Sequence, residues 1–163
     1  MKKVLLLSTG GTFNKHYSEE SGAITIDTLA STLKELAKKW RTTFTVETII
    51  GKDSLDMDDA DRALLLEYIR QSSAEDIIVI HGTDTMDLSA EVIAAAHLSK
   101  RVVFTGAMIP YRVDKVEATA NVAMAYRYLQ ATIPDGVYIS MNGVIGSYDS
   151  VIKNRRTKRF EYH

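Results

Sequence analysis

The stretch Leu5-Leu6-Leu7-Ser8-Thr9-Gly10-Gly11-Thr12-Phe13 constrains the fold more than any other. An unbroken apolar run so near the start reads as a first, central strand of a parallel sheet, buried on both faces. It runs straight into two glycines, which carry no Cβ and so let the backbone turn sharply or let a ligand come close. Thr9 and Thr12 bracket the pair. In an open α/β sheet that position, the carboxyl end of a strand, is where ligands bind.

The rest of the chain alternates in the same way. Thr28 to Trp40 carries Leu29, Leu33, Leu36, Ala37 and Trp40 at helical spacing, and Thr43 to Ile50 is β-branched and strand-like. Asp58 or Asp59 caps a helix that runs to Ser72. Asp76 to Ile80 is a second buried strand and ends at His81-Gly82-Thr83-Asp84-Thr85. Leu88 to Leu98 reads as helix, Arg101 to Thr105 as strand, Gly106 to Asp114 as loop, Val116 to Gln130 as helix and Gly136 to Met141 as strand. Asn14 to Asp27 is polar without periodicity and reads as a mobile loop; Asn142 to His163 reads as loop with a basic tail. The order β-α-β-α-β-α-β-α-β predicts a doubly wound α/β fold, a mostly parallel sheet with helices on both faces. Residues 1–163 are expected to form one domain, with no second domain present.

Composition narrows the function. A net charge of −1 gives no global reason to expect nucleic acid or a membrane surface as partner. The one charge block, Lys153 to Arg159, has no aromatic platform beside it. The chain contains no cysteine, which excludes disulfides, thiolate metal sites and a cysteine nucleophile. No apolar run approaches the roughly 18 residues of a membrane span, and the apolar part of the N-terminus is too short for a signal peptide. The chain reads as soluble and cytoplasmic.

Four loops collect at one rim, bringing Thr9 to Thr12, then Ser54 and Asp56, then His81 to Asp84, and finally Lys153. Two threonines, an acid and a lysine suffice for hydroxyl-nucleophile chemistry, provided that something takes the threonine proton. With no sign of a serine triad, lysine, tyrosine and histidine are the bases to consider, and Thr12 is internal and cannot use its own α-amine. His81 reads as structural. The glycine-rich first loop also admits a nucleotide- or phosphate-binding domain, although the G-x-G-x-x-G spacing and a Walker lysine-threonine pair are absent.

Thr9-Gly10-Gly11-Thr12, followed about seventy residues later by His81-Gly82-Thr83-Asp84-Thr85-Met86, resembles the bacterial-type L-asparaginase family. Asp53-Ser54-Leu55-Asp56-Met57 is similar to that family's substrate-carboxylate loop, with Leu55 where the family often has glutamine. Gly106-Ala107-Met108-Ile109-Pro110 resembles its Gly-Ala-Met-Arg-Pro segment, and Met141-Asn142 followed by Lys153 resembles the stretch that places its catalytic lysine. The resemblance spans essentially the whole chain but only the larger, N-terminal domain of a usual member.

This resemblance implies an amidohydrolase acting on L-asparagine, with L-glutamine as a weaker substrate, and needing no cofactor or metal. It implies that Thr12 attacks the side-chain amide, that Tyr17 helps activate Thr12, and that Thr83, Asp84 and Lys153 form a second catalytic cluster. Ser54 would hold the substrate α-carboxylate and Asp84 its α-ammonium, with Gly11, Gly82 and Thr83 completing the substrate contacts. It implies a homo-oligomer as well, since a neighbouring subunit normally sends a carboxylate into the site. An asparaginase-like domain without free-asparagine activity, serving as a non-hydrolytic amide-binding or an ammonia-donating partner of a larger enzyme, is the alternative within the same family.

Overall fold

The computed structural model describes residues 2–163. In chain order the elements are β1 (Val4–Gly10), β2 (Lys15–Ser18), β3 (Ala23–Ile26), α1 (Ser31–Trp40), β4 (Phe44–Lys52), α2 (Asp59–Gln71), β5 (Asp76–Ile80), α3 (Met86–Ala94), β6 (Arg101–Thr105), α4 (Lys115–Gln130), β7 (Gly136–Met141), β8 (Val144–Ser147), β9 (Val151–Asn154) and β10 (Arg159–Tyr162). Six strands make the main sheet in the order β4-β1-β5-β6-β7-β8. The first five are parallel and β8 runs antiparallel to β7. The doubly wound α/β expectation holds.

Both faces of this sheet are covered, which is why its central strands are apolar throughout rather than alternating. Leu5, Leu7, Ile77, Val79, Val102, Phe104 and Ile139 point to one side and pack with Leu65 and Ile69 of α2 and Ala90 and Ile93 of α3. Val4, Leu6, Ile78, Ile80 and Val103 point to the other, against Leu33 and Leu36 of α1 and Ala118, Val122, Ala125 and Leu129 of α4. The α2 start is fixed by a capping box: Asp58 accepts from the Asp61 N–H, and Asp61 accepts from the Asp58 N–H.

The chain leaves β1 towards β4 on one side, then returns through α2 to β5 on the other side of β1. The carboxyl ends of β1 and β5 are therefore the point where the winding reverses, the place where open α/β sheets bind their ligands.

Two sequence expectations need correction. Asn14 to Asp27 is not an unstructured loop: Lys15–Ser18 and Ala23–Ile26 pair antiparallel as a hairpin. Asn142 to His163 is not a loop with a tail. It supplies β8 to the edge of the sheet and then the antiparallel pair β9–β10, with Phe160 and Val151 buried against the core. Asn142 and Gly143, both with positive φ, make the turn from β7 into β8. Among the described residues no helix is long and apolar enough to cross a membrane.

Candidate active site

The site is built where the loops after β1, β4 and β5 meet. Gly11, at φ +75°, lies so close to the next loop that a Cβ added there would come within 2.5 Å of the Gly82 backbone nitrogen. A Cβ on Gly82 would in turn meet Ser54 Oγ at 2.5 Å and Ser54 N at 2.9 Å. Backbone approach of this kind is available only to glycine. The two glycines thus stack three loops and bring the residues next to them, Thr12, Ser54 and Thr83, to one place on the rim.

Thr12 is half-buried and opens a single 3-10 turn, Thr12–Asn14. Ser54 is only 1% exposed, yet among the described residues its Oγ has no hydrogen-bond partner. An unsatisfied buried hydroxyl is costly, which leaves this one with an unused capacity to donate and accept. Thr85 fastens the β5 loop to the β4 loop by donating to the Ser54 carbonyl at 2.8 Å. Burial pushes the Asp53 carboxyl up, but the Lys15 ammonium at 2.6 Å and the Leu55 and Ser54 N–H groups outweigh it and hold this carboxyl below its ordinary value.

Lys153, on β9, completes the cluster from the far side. Its ammonium donates to Thr83 Oγ1 at 2.7 Å and to Asp84 Oδ1 at 2.8 Å, and its side chain is 11% exposed. The Arg155 guanidinium donates to the Asp84 carbonyl at 3.2 Å, tying the β9–β10 pair to the same loop. A small cavity of about 60 Å³ lies behind these groups, lined in part by Thr83, Asp84, Lys153 and Phe160. Two larger hollows of about 500 and 570 Å³ sit at the opposite, amino-terminal edge of the sheet and contain none of the candidate residues. The candidate site is defined by its chemistry-bearing side chains rather than by volume.

His81 is wholly buried. Its Nδ1–H donates to the Gly82 carbonyl at 2.7 Å, and Nε2 lies 2.8 Å from the Ser89 hydroxyl, from which it accepts. Burial holds its pKa down at about 4, so the ring is neutral and shapes the turn into Gly82. Thr9 is equally buried and donates to the Ile80 carbonyl at 3.0 Å, stitching β1 to β5. Tyr17 stands apart from the others: it is 65% exposed on β2, its hydroxyl lies near Gly22 at the hairpin tip, and among the described residues it makes no hydrogen bond to Thr12. The structure thus brings Gly11, Thr12, Ser54, Gly82, Thr83, Asp84 and Lys153 to one rim and leaves Tyr17 out on the hairpin.

Three contributors were absent from the sequence expectations. Asn14 is fully buried beneath the first loop and donates to the Gly10 carbonyl at 2.8 Å and to Ser8 Oγ at 3.2 Å. The Glu117 carboxylate accepts from the Met108 and Ile109 N–H groups, which shapes the 106–110 loop. Asn121 donates to the Gly106 carbonyl and exchanges hydrogen bonds with Asn142. A carboxylate three positions into a helix is a recognisable loop-capping signal; the two asparagines carry none.

The chain is similar to known proteins in sequence and in fold. The chain is 29% identical to a subunit of the glutamyl-tRNA(Gln) amidotransferase of Methanococcus maripaludis, over 90% of its own length and 36% of that protein's. It is 27% identical to a Haemophilus influenzae protein named "Probable L-asparaginase periplasmic", over 100% of its own length and 49% of the relative's. In three dimensions it overlays on the thermostable L-asparaginase from Thermococcus kodakarensis with a TM-score of 0.86 at 23% identity, covering 98% of this chain and 51% of that one. The L-asparaginase I from Vibrio cholerae gives 0.81 at 24% identity, with 99% and 51% covered. The chain therefore spans about half the length, or less, of the relatives it matches. The profile described as Asparaginase, N-terminal matches residues 3–161, and the chain belongs to the asparaginase family through that N-terminal domain.

Proposed function

We propose that this domain is an amidohydrolase converting L-asparagine to L-aspartate and ammonia through an acyl-enzyme on Thr12. The observation that carries the reading is the Lys153 ammonium bonded to both Thr83 and Asp84, on a loop whose Gly82 packs against Gly11 beside Thr12. Thr12 Oγ attacks the side-chain amide carbon, and the carbonyl oxygen gains charge in a tetrahedral intermediate. Backbone N–H groups around Thr83 stabilise that charge; one such donor is worth about 3 kcal/mol in well-studied hydrolases. The C–N bond then breaks and the nitrogen leaves as ammonia with the proton taken from Thr12. Water attacks the resulting ester, the Thr12–acyl bond breaks, and L-aspartate departs while the hydroxyl regains its proton.

In this reading Lys153 relays protons through Thr83, and Tyr17 assists Thr12 when the hairpin folds over the rim. Ser54, with its unpaired buried hydroxyl, receives the substrate α-carboxylate, and Asp84 receives the α-ammonium. Gly11 and Gly82 keep backbone close to the substrate. A homo-oligomer in which a second subunit closes the rim fits the same scheme, as does weaker hydrolysis of L-glutamine.

The match to an amidotransferase subunit favours a second reading, in which the same amide chemistry supplies ammonia to a partner. Ammonia release from L-asparagine by the purified chain, measured with wild type and Thr12→Ala, decides between them. Steady release that falls at least about 100-fold in the variant supports the free-asparagine reading. Release in neither protein overturns it.

A further inference from the structure

The last residue of the first turn, Asn14, and the residue after it, Lys15, each hold a different loop of the rim. Asn14 donates through Nδ2 to the Gly10 carbonyl and Ser8 Oγ, and its backbone N–H donates to the Gly11 carbonyl at 3.2 Å. Residues 10 and 11 on one side of Thr12, and 14 on the other, are thereby bound to each other. The Asn14 carbonyl also accepts from the Asp27 N–H at 2.9 Å, so both ends of the hairpin are anchored at this residue. Its Oδ1, fully buried, has no partner among the described residues. An asparagine buried under a turn is selected for its donors, because a hydrocarbon of similar volume would leave the Gly10 carbonyl without this hydrogen bond.

Lys15 reaches the β4 loop at Asp53, the residue before Ser54, at 2.6 Å. Both side chains are about three-quarters shielded, at 28% and 27% exposed, so the pair is less screened than an open surface contact. Asp53 is also bonded through the backbone of the β4 loop, where the Asp56 N–H donates to its carbonyl. Lys15 therefore bears on the loop that orients Ser54, whereas Asn14 bears on the turn that orients Thr12.

We propose that Asn14 and Lys15 are a two-sided brace of positioning residues, Asn14 aligning the Thr12 hydroxyl for attack and Lys15, through Asp53, aligning Ser54 for the substrate carboxylate. The inference rests on the asparagine-hydrolysis reading and assigns separate kinetic consequences to adjacent residues. Misplacing a nucleophile slows the chemical step at a given occupancy, whereas loosening a remote anchor weakens binding.

The test is steady-state ammonia release by Asn14→Ala, Lys15→Met, Lys15→Arg, Asp53→Asn and the double variant Lys15→Met/Asp53→Asn, with thermal midpoints alongside. Asn14→Ala is expected to lower kcat about 10- to 100-fold with KM within about threefold of wild type. Lys15→Met and Asp53→Asn are each expected to raise KM about fivefold with kcat within about twofold, and the double variant to be no worse than either single one. Lys15→Arg should restore KM to within about twofold of wild type. A purely structural ion pair would move the thermal midpoint and leave KM alone, which overturns the assignment of Lys15. Loss of the split, with Asn14→Ala acting on KM or Lys15→Met acting only on kcat, overturns the brace. Should Asn14→Ala fail to fold, the Lys15 and Asp53 variants decide. No ammonia release by wild type overturns the functional reading and this inference with it; release without the split overturns the inference alone.

Discussion

His81 makes the fold's stability depend on pH in a range where few other groups titrate. Its ring is sealed between Gly82, Ser89 and the edge of Phe104, and burial holds its pKa at about 4 against an ordinary value of 6.5. Well above pH 6.5, by about pH 7.5, neither folded nor unfolded chain carries the proton, and the fold keeps its full stability. As the pH falls, the unfolded chain binds a proton that the folded chain refuses, so stability drops until the folded ring also protonates near pH 4. The whole window is worth about 3 kcal/mol, of which about 1 kcal/mol is lost between about pH 7.5 and about pH 5.5. Urea unfolding at those two pH values, with a constant m-value, should show that loss. A ring-proton NMR titration should show His81 neutral throughout. Stability unchanged between the two pH values, or a His81 ring that protonates near 6.5, would refute the reasoning.

Other outcomes follow from the same contacts. Gly11→Ala puts a methyl group against the Gly82 and His81 backbone at a positive φ; it should cost about 2–4 kcal/mol and lower Tm by about 5–15 °C, whereas an unchanged Tm would show that the loops do not touch. Lys153→Met and Thr83→Val should each cut turnover at least about 100-fold with the fold intact by circular dichroism, and wild-type rates in either would remove that residue from the mechanism. Ser54→Ala should mainly raise KM, as loss of uniform binding does; an unchanged KM would dismiss it as the carboxylate anchor.

The parallel core could be read from the sequence because its strands are buried on both faces. Val4–Leu7, Ile77–Ile80 and Val102–Phe104 announce themselves as apolar runs, and the glycines that follow mark the loops. The hairpin could not be read in this way. Tyr17 and Ile24 are exposed, and no residue of either strand is fully buried, so there is no inward face to impose a period of two. The edge strand β8 and the pair β9–β10 are four residues each, below the length at which a pattern stands out. The Asn142-Gly143 dipeptide was a turn signal that would have revealed β8. At the site, hydroxyls and charges after strands were legible from their position. The supports were not: nothing in the sequence says that Asn14 lies under Gly10, or that Lys15 spans 38 positions to Asp53.

The most direct test of the central claim is a crystal structure with L-aspartate bound. The account predicts the α-carboxylate on Ser54 Oγ, the α-ammonium on Asp84, and the side-chain carboxylate between the Thr12 and Thr83 hydroxyls, with Lys153 still bonded to Thr83. Aspartate bound elsewhere, or bound at this rim with no oxygen within hydrogen-bonding distance of Thr12, would contradict it.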